Sequence, residues 1–387
     1  MKKAKRFIIL ATLIVVFLAA CGKEENPTVT SPDEVTSPTP SPTLSPTPTV
    51  TPSPTSSPTP TQNVTPTPEI TEPVIPEGMV KSRLTGLWIP EETAHYRPYA
   101  VMINNIKVAS PQSGLSAADI LCEALVEYGV TRFMAIFEAQ DAMADTTSRI
   151  GSIRSARHYY VTFANEFDAI FVHFGGTSYA TDAIKQMHID EVDGITETLA
   201  AKAFSRDKRI QSPHNVFLNF SIMLNDVFNS SLRSEWDNTR DEIFVFNETD
   251  VVPENGQTAD KVTIRFSQSA KPYFTYDSES GEYTRYQFGI LHKDANNDQP
   301  LTYKNLIIQY VKYSDIGNEY LTVDLDNAEG EGYYVTNGIA VPIRWKRPEG
   351  TNSCKYYDNN GNELVINVGK TYIAYYPDDN YDGVIFE

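Results

Sequence analysis

Residues 99–138 read YAVMINNIKVASPQSGLSAADILCEALVEYGVTRFMAIFE, and the way this stretch divides into elements decides the fold. Residues 99–104 are apolar almost without a break and end at Asn104-Asn105, as for a strand. Residues 116–128 predict a helix. Ser116 stands three positions before Asp119 as an N-cap arrangement, and Ile120, Leu121, Ala124, Leu125 and Tyr128 recur at helical spacing. Gly129 would stop that helix, and residues 131–138 return to a buried-strand pattern. Farther along, the pattern predicts a helix over 153–165, a strand over 169–174, a helix over 178–188 and another over 220–229. Such alternation over 81–245 predicts an α/β N-terminal domain, a mostly parallel or mixed sheet with flanking helices.

From 246 to 387 the helical period disappears. Short runs such as 262–266, 273–276, 283–288, 306–313, 339–345 and 371–376 are separated by turn residues, including the hairpin signal Asn337-Gly338. An antiparallel, β-rich C-terminal domain is expected. It is dense in tyrosine, for instance Tyr273, Tyr276, Tyr283, Tyr286, Tyr372, Tyr375 and Tyr376. Such rings suit either recognition of sugars and partner surfaces or cross-strand packing on a half-buried sheet.

The N-terminal end carries an address. Residues 1–20 begin with Lys2, Lys3, Lys5 and Arg6 and continue into an apolar run from 7 to 20, too short to span a membrane. The run ends Leu18-Ala19-Ala20-Cys21-Gly22, which resembles a bacterial lipoprotein processing box. Cys21 is the expected lipidation site, its palmitate-class acyl chains tethering the exported chain to the outer face of the cell membrane. Residues 21–80 then form a Pro/Thr/Ser-rich tether. Fifteen of the 25 prolines fall between Gly22 and Gly78, a composition with almost nothing to bury.

Composition narrows the partners. The chain has 32 basic and 50 acidic residues, a net charge of −18, and removing the four basic residues of segment 1–20 leaves 28 against 50. Nucleic acid is therefore not an expected partner, since its phosphates require a basic face. Cys21, Cys122 and Cys354 are the only cysteines, too few for a disulfide scaffold; a Cys122–Cys354 bridge has only parity in its favour. No zinc-ligand spacing, P-loop, dinucleotide fingerprint or serine-hydrolase elbow occurs, so no metal or cofactor is expected.

Ligand groups gather beyond the carboxyl ends of the strands in open α/β sheets. By that rule the candidate ligand-binding residues are Asn104, Arg132, Arg154, Arg157, His173, Gly175 and Gly176. Arginines supply bidentate donors for carboxylate or phosphate, and glycines at a strand-to-helix turn let backbone amides approach an anion. Each has a structural alternative: Arg154 and Arg157 could pair with Glu123, Glu127 or Glu138, His173 could be a satisfied core histidine, and the glycines a tight turn. Glu123 and Glu127 fall at i, i+4 on the expected helix, as an ion-pair cluster or as candidate catalytic acid/base residues.

Five ordered motifs carry a resemblance. They are Arg97-Pro98-Tyr99-Ala100-Val101-Met102-Ile103-Asn104-Asn105, Pro111-Gln112-Ser113-Gly114-Leu115 with Ala118-Asp119-Ile120, and Glu127-Tyr128-Gly129-Val130-Thr131-Arg132-Phe133. Ile150-Gly151-Ser152-Ile153-Arg154-Ser155-Ala156-Arg157 and His173-Phe174-Gly175-Gly176-Thr177-Ser178 complete them. Together they resemble the YerB-like lipoproteins of Gram-positive bacteria, a family carrying a domain-of-unknown-function name. This chain has Ser152 where the family usually has Pro, and Tyr128 where it has Gly. The resemblance implies a lipid-anchored surface protein with an α/β and a β-rich domain, and places Glu127, Arg132, Arg154 and Arg157 in shared motifs. It implies no reaction. The expected function is non-catalytic binding of an anionic cell-wall ligand or a wall-synthesis partner. The competing expectations are a transferase or hydrolase using a Glu and the arginines, and a scaffold without a ligand.

Overall fold

The two apolar runs that open the domain form adjacent strands, paired antiparallel over their whole length, with Tyr99 opposite Phe137 and Asn105 opposite Thr131. The computed structural model describes residues 76–138, 149–196, 200–317 and 319–387. The export segment, Cys21 and the tether up to residue 75 lie outside the described residues.

The strands of the two main sheets begin with β1 (Tyr99–Asn105), β2 (Ile120–Leu125), β3 (Thr131–Phe137), β4 (Ile170–His173) and β5 (Glu191–Asp193). Next come β6 (Lys261–Ile264), β7 (Tyr273–Asp277), β8 (Glu282–Gln287) and β9 (Asn305–Val311). β10 (Glu329–Thr336), β11 (Ile339–Lys346), β12 (Thr371–Pro377) and β13 (Val384–Phe386) complete them. Three helices matter for the site: α1 (His158–Glu166), α2 (Ser178–Met187) and α3 (Phe220–Phe228).

A mixed eleven-stranded sheet runs through both halves of the chain in the order β11-β10-β9-β12-β2-β3-β1-β4-β5, with two short strands on β11. β12 lies parallel to β2 on one side and to β9 on the other. A six-stranded antiparallel sheet, in which β13-β6-β7-β8 run in that order from one edge, stacks on one face. Side-chain alternation sorts the core. Tyr99, Val101, Ile103, Phe133 and Phe137 pack with Val262, Phe274 and Tyr283 of the second sheet and with Phe220 of α3. Ala100, Met102, Met134 and Ile136 face the other way, onto Tyr159, Tyr160 and Phe163 of α1. Each large apolar side chain so buried contributes about 1.5–3 kcal/mol. The Phe163 ring stacks on Tyr375 of β12 at 3.6 Å, joining the two halves on this face too.

The helix expected over 116–128 is absent. In its place stand a 3-10 turn (Leu115–Ala117), strand β2, and a second 3-10 turn (Glu127–Gly129). The apparent helical spacing came from a run apolar on both sides. Ile120, Cys122 and Ala124 enter the helix-covered core, while Leu121 enters the opposite one. Asp119 caps no helix; its carboxylate accepts the Glu138 amide at 2.7 Å. The helix over 153–165 starts late, at His158, because residues 150–157 are committed elsewhere. The Arg154 amide donates to the Met102 carbonyl at 2.9 Å and that of Ile153 to Val216 at 2.8 Å. α2 and α3 follow expectation, capped by the side chains of Thr177 and Asn219. Cys122 and Cys354 are both buried and unbridged. Cys122 belongs to a strand, not to a helix face.

Candidate anion site at the carboxyl edge of the sheet

β1, β2, β4 and β5 are mutually parallel, as is β12, so their carboxyl ends share one edge of the sheet. Asn104 lies near the end of β1 and Arg132 at the start of β3 directly opposite it. The Glu127–Gly129 turn links β2 to β3 at this edge, and the extended segment 150–157 crosses it. Within the turn Tyr128 adopts φ 62°, a left-handed conformation that favours glycine, and its ring is 81% exposed.

Three arginines meet here around one carboxylate. Arg157 clamps Glu127 with both ends of its guanidinium, Nη2 reaching Oε2 at 2.9 Å and Nε bonding Oε1. Burial alone would raise the Glu127 pKa, but the Arg157 hydrogen bonds and charge, with Arg132 behind them, hold it below the usual carboxylate value. Arg132 is 95% buried, at 5% exposure, and donates to the Ser155 carbonyl; no carboxylate lies within 4.0 Å of it among the described residues. Burial, then the charges of Arg157 and Arg154, bring its pKa down to about 9, so it remains a cation at neutral pH. Arg154 is partly exposed; its Nη1 makes one 3.4 Å contact with the Pro213 carbonyl, while its buried Nε has no partner. Burial and the neighbouring Arg157 lower its pKa as well. Removing cations from water is unfavourable unless anions are supplied, and Glu127 supplies one for three.

The surrounding histidines add no charge. Burial, and then Arg154, depresses the pKa of His214; burial and Arg157 do the same to His158. His214 Nδ1 accepts from the Asn104 amide at 3.0 Å, which leaves its proton on Nε2. His158 Nε2 contacts Thr322 Oγ1 at 2.7 Å.

Other expected ligand groups are already occupied. His173 is buried with Nε2 at 2.7 Å from Glu191 and Nδ1 at 3.0 Å from the Gly175 carbonyl, so it is the satisfied core histidine. Gly175 does present its amide to an anion, but an internal one. Asp193 accepts the Gly175 amide at 2.7 Å, the Ile195 amide at 3.0 Å and the Thr196 hydroxyl at 2.7 Å. Burial pushes the Asp193 pKa up, yet those donors outweigh it and leave it low. Gly176 bridges Ala156 through the backbone.

Glu123 is not a helical neighbour of Glu127. It points to the opposite face of the sheet, fully buried, with both oxygens saturated. Asn105 and Thr131 donate to Oε1 at 2.9 and 2.6 Å, and Arg285 and Tyr372 donate to Oε2 at 2.7 Å each. Arg285 also meets His292 at 2.5 Å, and His292 meets Gln112 at 2.6 Å. The sequence reading missed this network. Its one signal is register: Tyr283, Arg285 and Gln287 form the inward row of β8, so an arginine there must be buried.

Family comparisons agree with this architecture. The family model "Protein of unknown function (DUF3048) N-terminal domain" matches residues 84–233, and the corresponding C-terminal domain model matches 262–373. Over 301 residues the chain is 30% identical to "Putative lipoprotein YerB" of Bacillus subtilis (strain 168), covering 77% of this chain and 87% of that one. This chain belongs to the YerB-like DUF3048 family. The crystal structure of YerB protein from Bacillus subtilis has the same fold at 27% identity, with a TM-score of 0.69 over 80% of this chain and 99% of the other. The Glu123–Arg285 pair thus joins the two DUF3048 domains, while the arginine cluster lies wholly within the N-terminal one. Among the described residues no helix is long and apolar enough to cross a membrane.

Proposed function

We propose that this DUF3048 protein is held by a lipid on Cys21 at the extracytoplasmic face of the membrane and binds an anionic cell-wall ligand, or an acidic patch on a wall-synthesis partner, at its carboxyl-edge arginine cluster. The observation that carries the reading is a buried guanidinium, Arg132, with no carboxylate partner, beside Arg154 with an unpartnered Nε. Asn104, His214 and Ser155 border the cluster and offer polar contacts for orientation. His173, Gly175 and Gly176 are not part of the binding surface in this reading.

A binding role suits the carboxylates better than catalysis. Glu123 has four donors and no vacancy for a substrate proton, and Glu127 is clamped and held low, a poor general acid at neutral pH. Thermal unfolding of the full chain against phosphates, sugar acids and wall fragments tests the proposal. At a hundredfold excess over Kd a ligand adds about 2.7 kcal/mol of stability. Stabilisation by an anion that disappears in Arg154→Ala is the expected result; a panel without any shift, or shifts that survive the substitution, would overturn it.

A further inference from the structure

A second cluster of cations lies on the other side of the Glu127–Gly129 turn. A cleft of about 870 Å³ is lined by Lys107, just past β1, and by Lys261, Arg265 and Lys271 of the β6–β7 hairpin, with no carboxylate in its wall. In a chain of net charge −18 this is a local reversal of sign. Lys261 is paired with Glu387 at 2.5 Å. Lys107, Arg265 and Lys271 are exposed and have no ion pair among the described residues.

The cleft is framed rather than loose. Ser267 and Ser269, in the turn between β6 and β7, both donate to the Gly129 carbonyl, Ser269 at 3.0 Å, fixing the hairpin to the N-terminal domain and Arg265 and Lys271 opposite Lys107. One wall is flat: Tyr273 stacks on Tyr286 at 4.6 Å with 5° between the rings. Gln268 and Thr263 add uncharged polar groups.

We propose that this cleft is a binding site for a phosphodiester polymer, distinct from the arginine cluster. Its volume exceeds what one small anion fills, and its wall takes cations from two separate segments, Lys107 and the β6–β7 hairpin. Lysine-dominated, open cations suit singly charged groups repeated along a chain, whereas a compact carboxylate or phosphate is better held by convergent, buried guanidinium groups. A concave wall with one flat aromatic face fits a chain laid into it better than a planar lipid surface.

Calorimetric titration of the full chain with an oligomer of poly(glycerol phosphate) tests this, with polygalacturonate and anionic phosphatidylglycerol vesicles as separate arms. The phosphodiester oligomer is expected to bind with an affinity that falls steeply with salt. The triple substitution Lys107→Ala/Arg265→Ala/Lys271→Ala should weaken it at least tenfold without moving the unfolding midpoint, and Lys107→Arg/Lys271→Arg should retain it. Lys185→Ala, an exposed cation on α2, should change it less than twofold. Equal binding by the triple variant, no binding by the wild type, or binding of vesicles or polygalacturonate in preference to the phosphodiester would overturn the proposal.

Discussion

Glu123 and Glu127 are four residues apart, and each meets an arginine, yet their surroundings are opposite. Glu123 lies between the two sheets with one arginine and three neutral donors, so its charge is matched one for one and both of its oxygens are satisfied, although Arg285 Nε has no partner. Glu127 lies at the sheet edge facing three arginines, with two positive charges left over. A balanced buried pair fixes how two domains meet. An unbalanced one invites a ligand. The difference teaches that charge accounting around a carboxylate, more than the presence of arginine, separates a structural bridge from a candidate site.

The largest effect should come from unbalancing the first cluster. Arg285→Ala leaves Glu123 buried without its cation and is expected to cost about 3–5 kcal/mol in denaturant unfolding. The paired replacement Glu123→Gln/Arg285→Met should cost much less, because no charge is stranded. A loss below about 1 kcal/mol for Arg285→Ala would break the contrast.

A third kind of carboxylate sharpens it. Glu166 is buried with a distant Arg347 at 3.7 Å, the Cys354 thiol at 3.2 Å and the Tyr375 hydroxyl at 3.5 Å, and burial raises its pKa to about 7; burial does the same to Glu138. Both keep their protons in the fold up to about pH 7, while the unfolded chain releases them near 4.5. Their contribution to stability is therefore complete below pH 4.5 and is lost as pH rises toward 7, by up to about 3 kcal/mol for Glu166. Glu166→Gln should flatten that part of the stability–pH curve; an unchanged slope would contradict the assignment.

Smaller effects belong to the edge. Arg154→Ala should change the stability of the unliganded chain by less than about 1 kcal/mol, since the side chain has no ion pair, and stabilisation by a bound anion should weaken with salt as the Glu123–Arg285 bridge does not. Tyr128→Gly, at a residue with φ 62°, should leave stability unchanged or raise it by up to about 1 kcal/mol, read from the unfolding midpoint.

Much of this was legible in sequence. Continuous apolar runs identified β1 and β3, the strand–helix pattern located α2 and α3, and short alternating runs marked the C-terminal strands. The failure at 116–128 has a physical cause: a strand buried on both faces and a helix buried all round present similar apolar runs, and only the neighbours decide. At the site, Arg132, Arg154 and Arg157 do gather at the carboxyl edge, as the strand-end rule suggests. That His173 and Gly175 serve Glu191 and Asp193 was invisible, because those partners come from β5, eighteen residues on.

In the proposed function, positive charge at this edge awaits an anion. Crystals of the chain soaked in selenate, a phosphate-shaped anion with an anomalous signal, would test it most directly. An anomalous peak within hydrogen-bond distance of both Arg132 and Arg154 is expected. A map without that peak, with Arg154 turned onto a protein carboxylate, would contradict it.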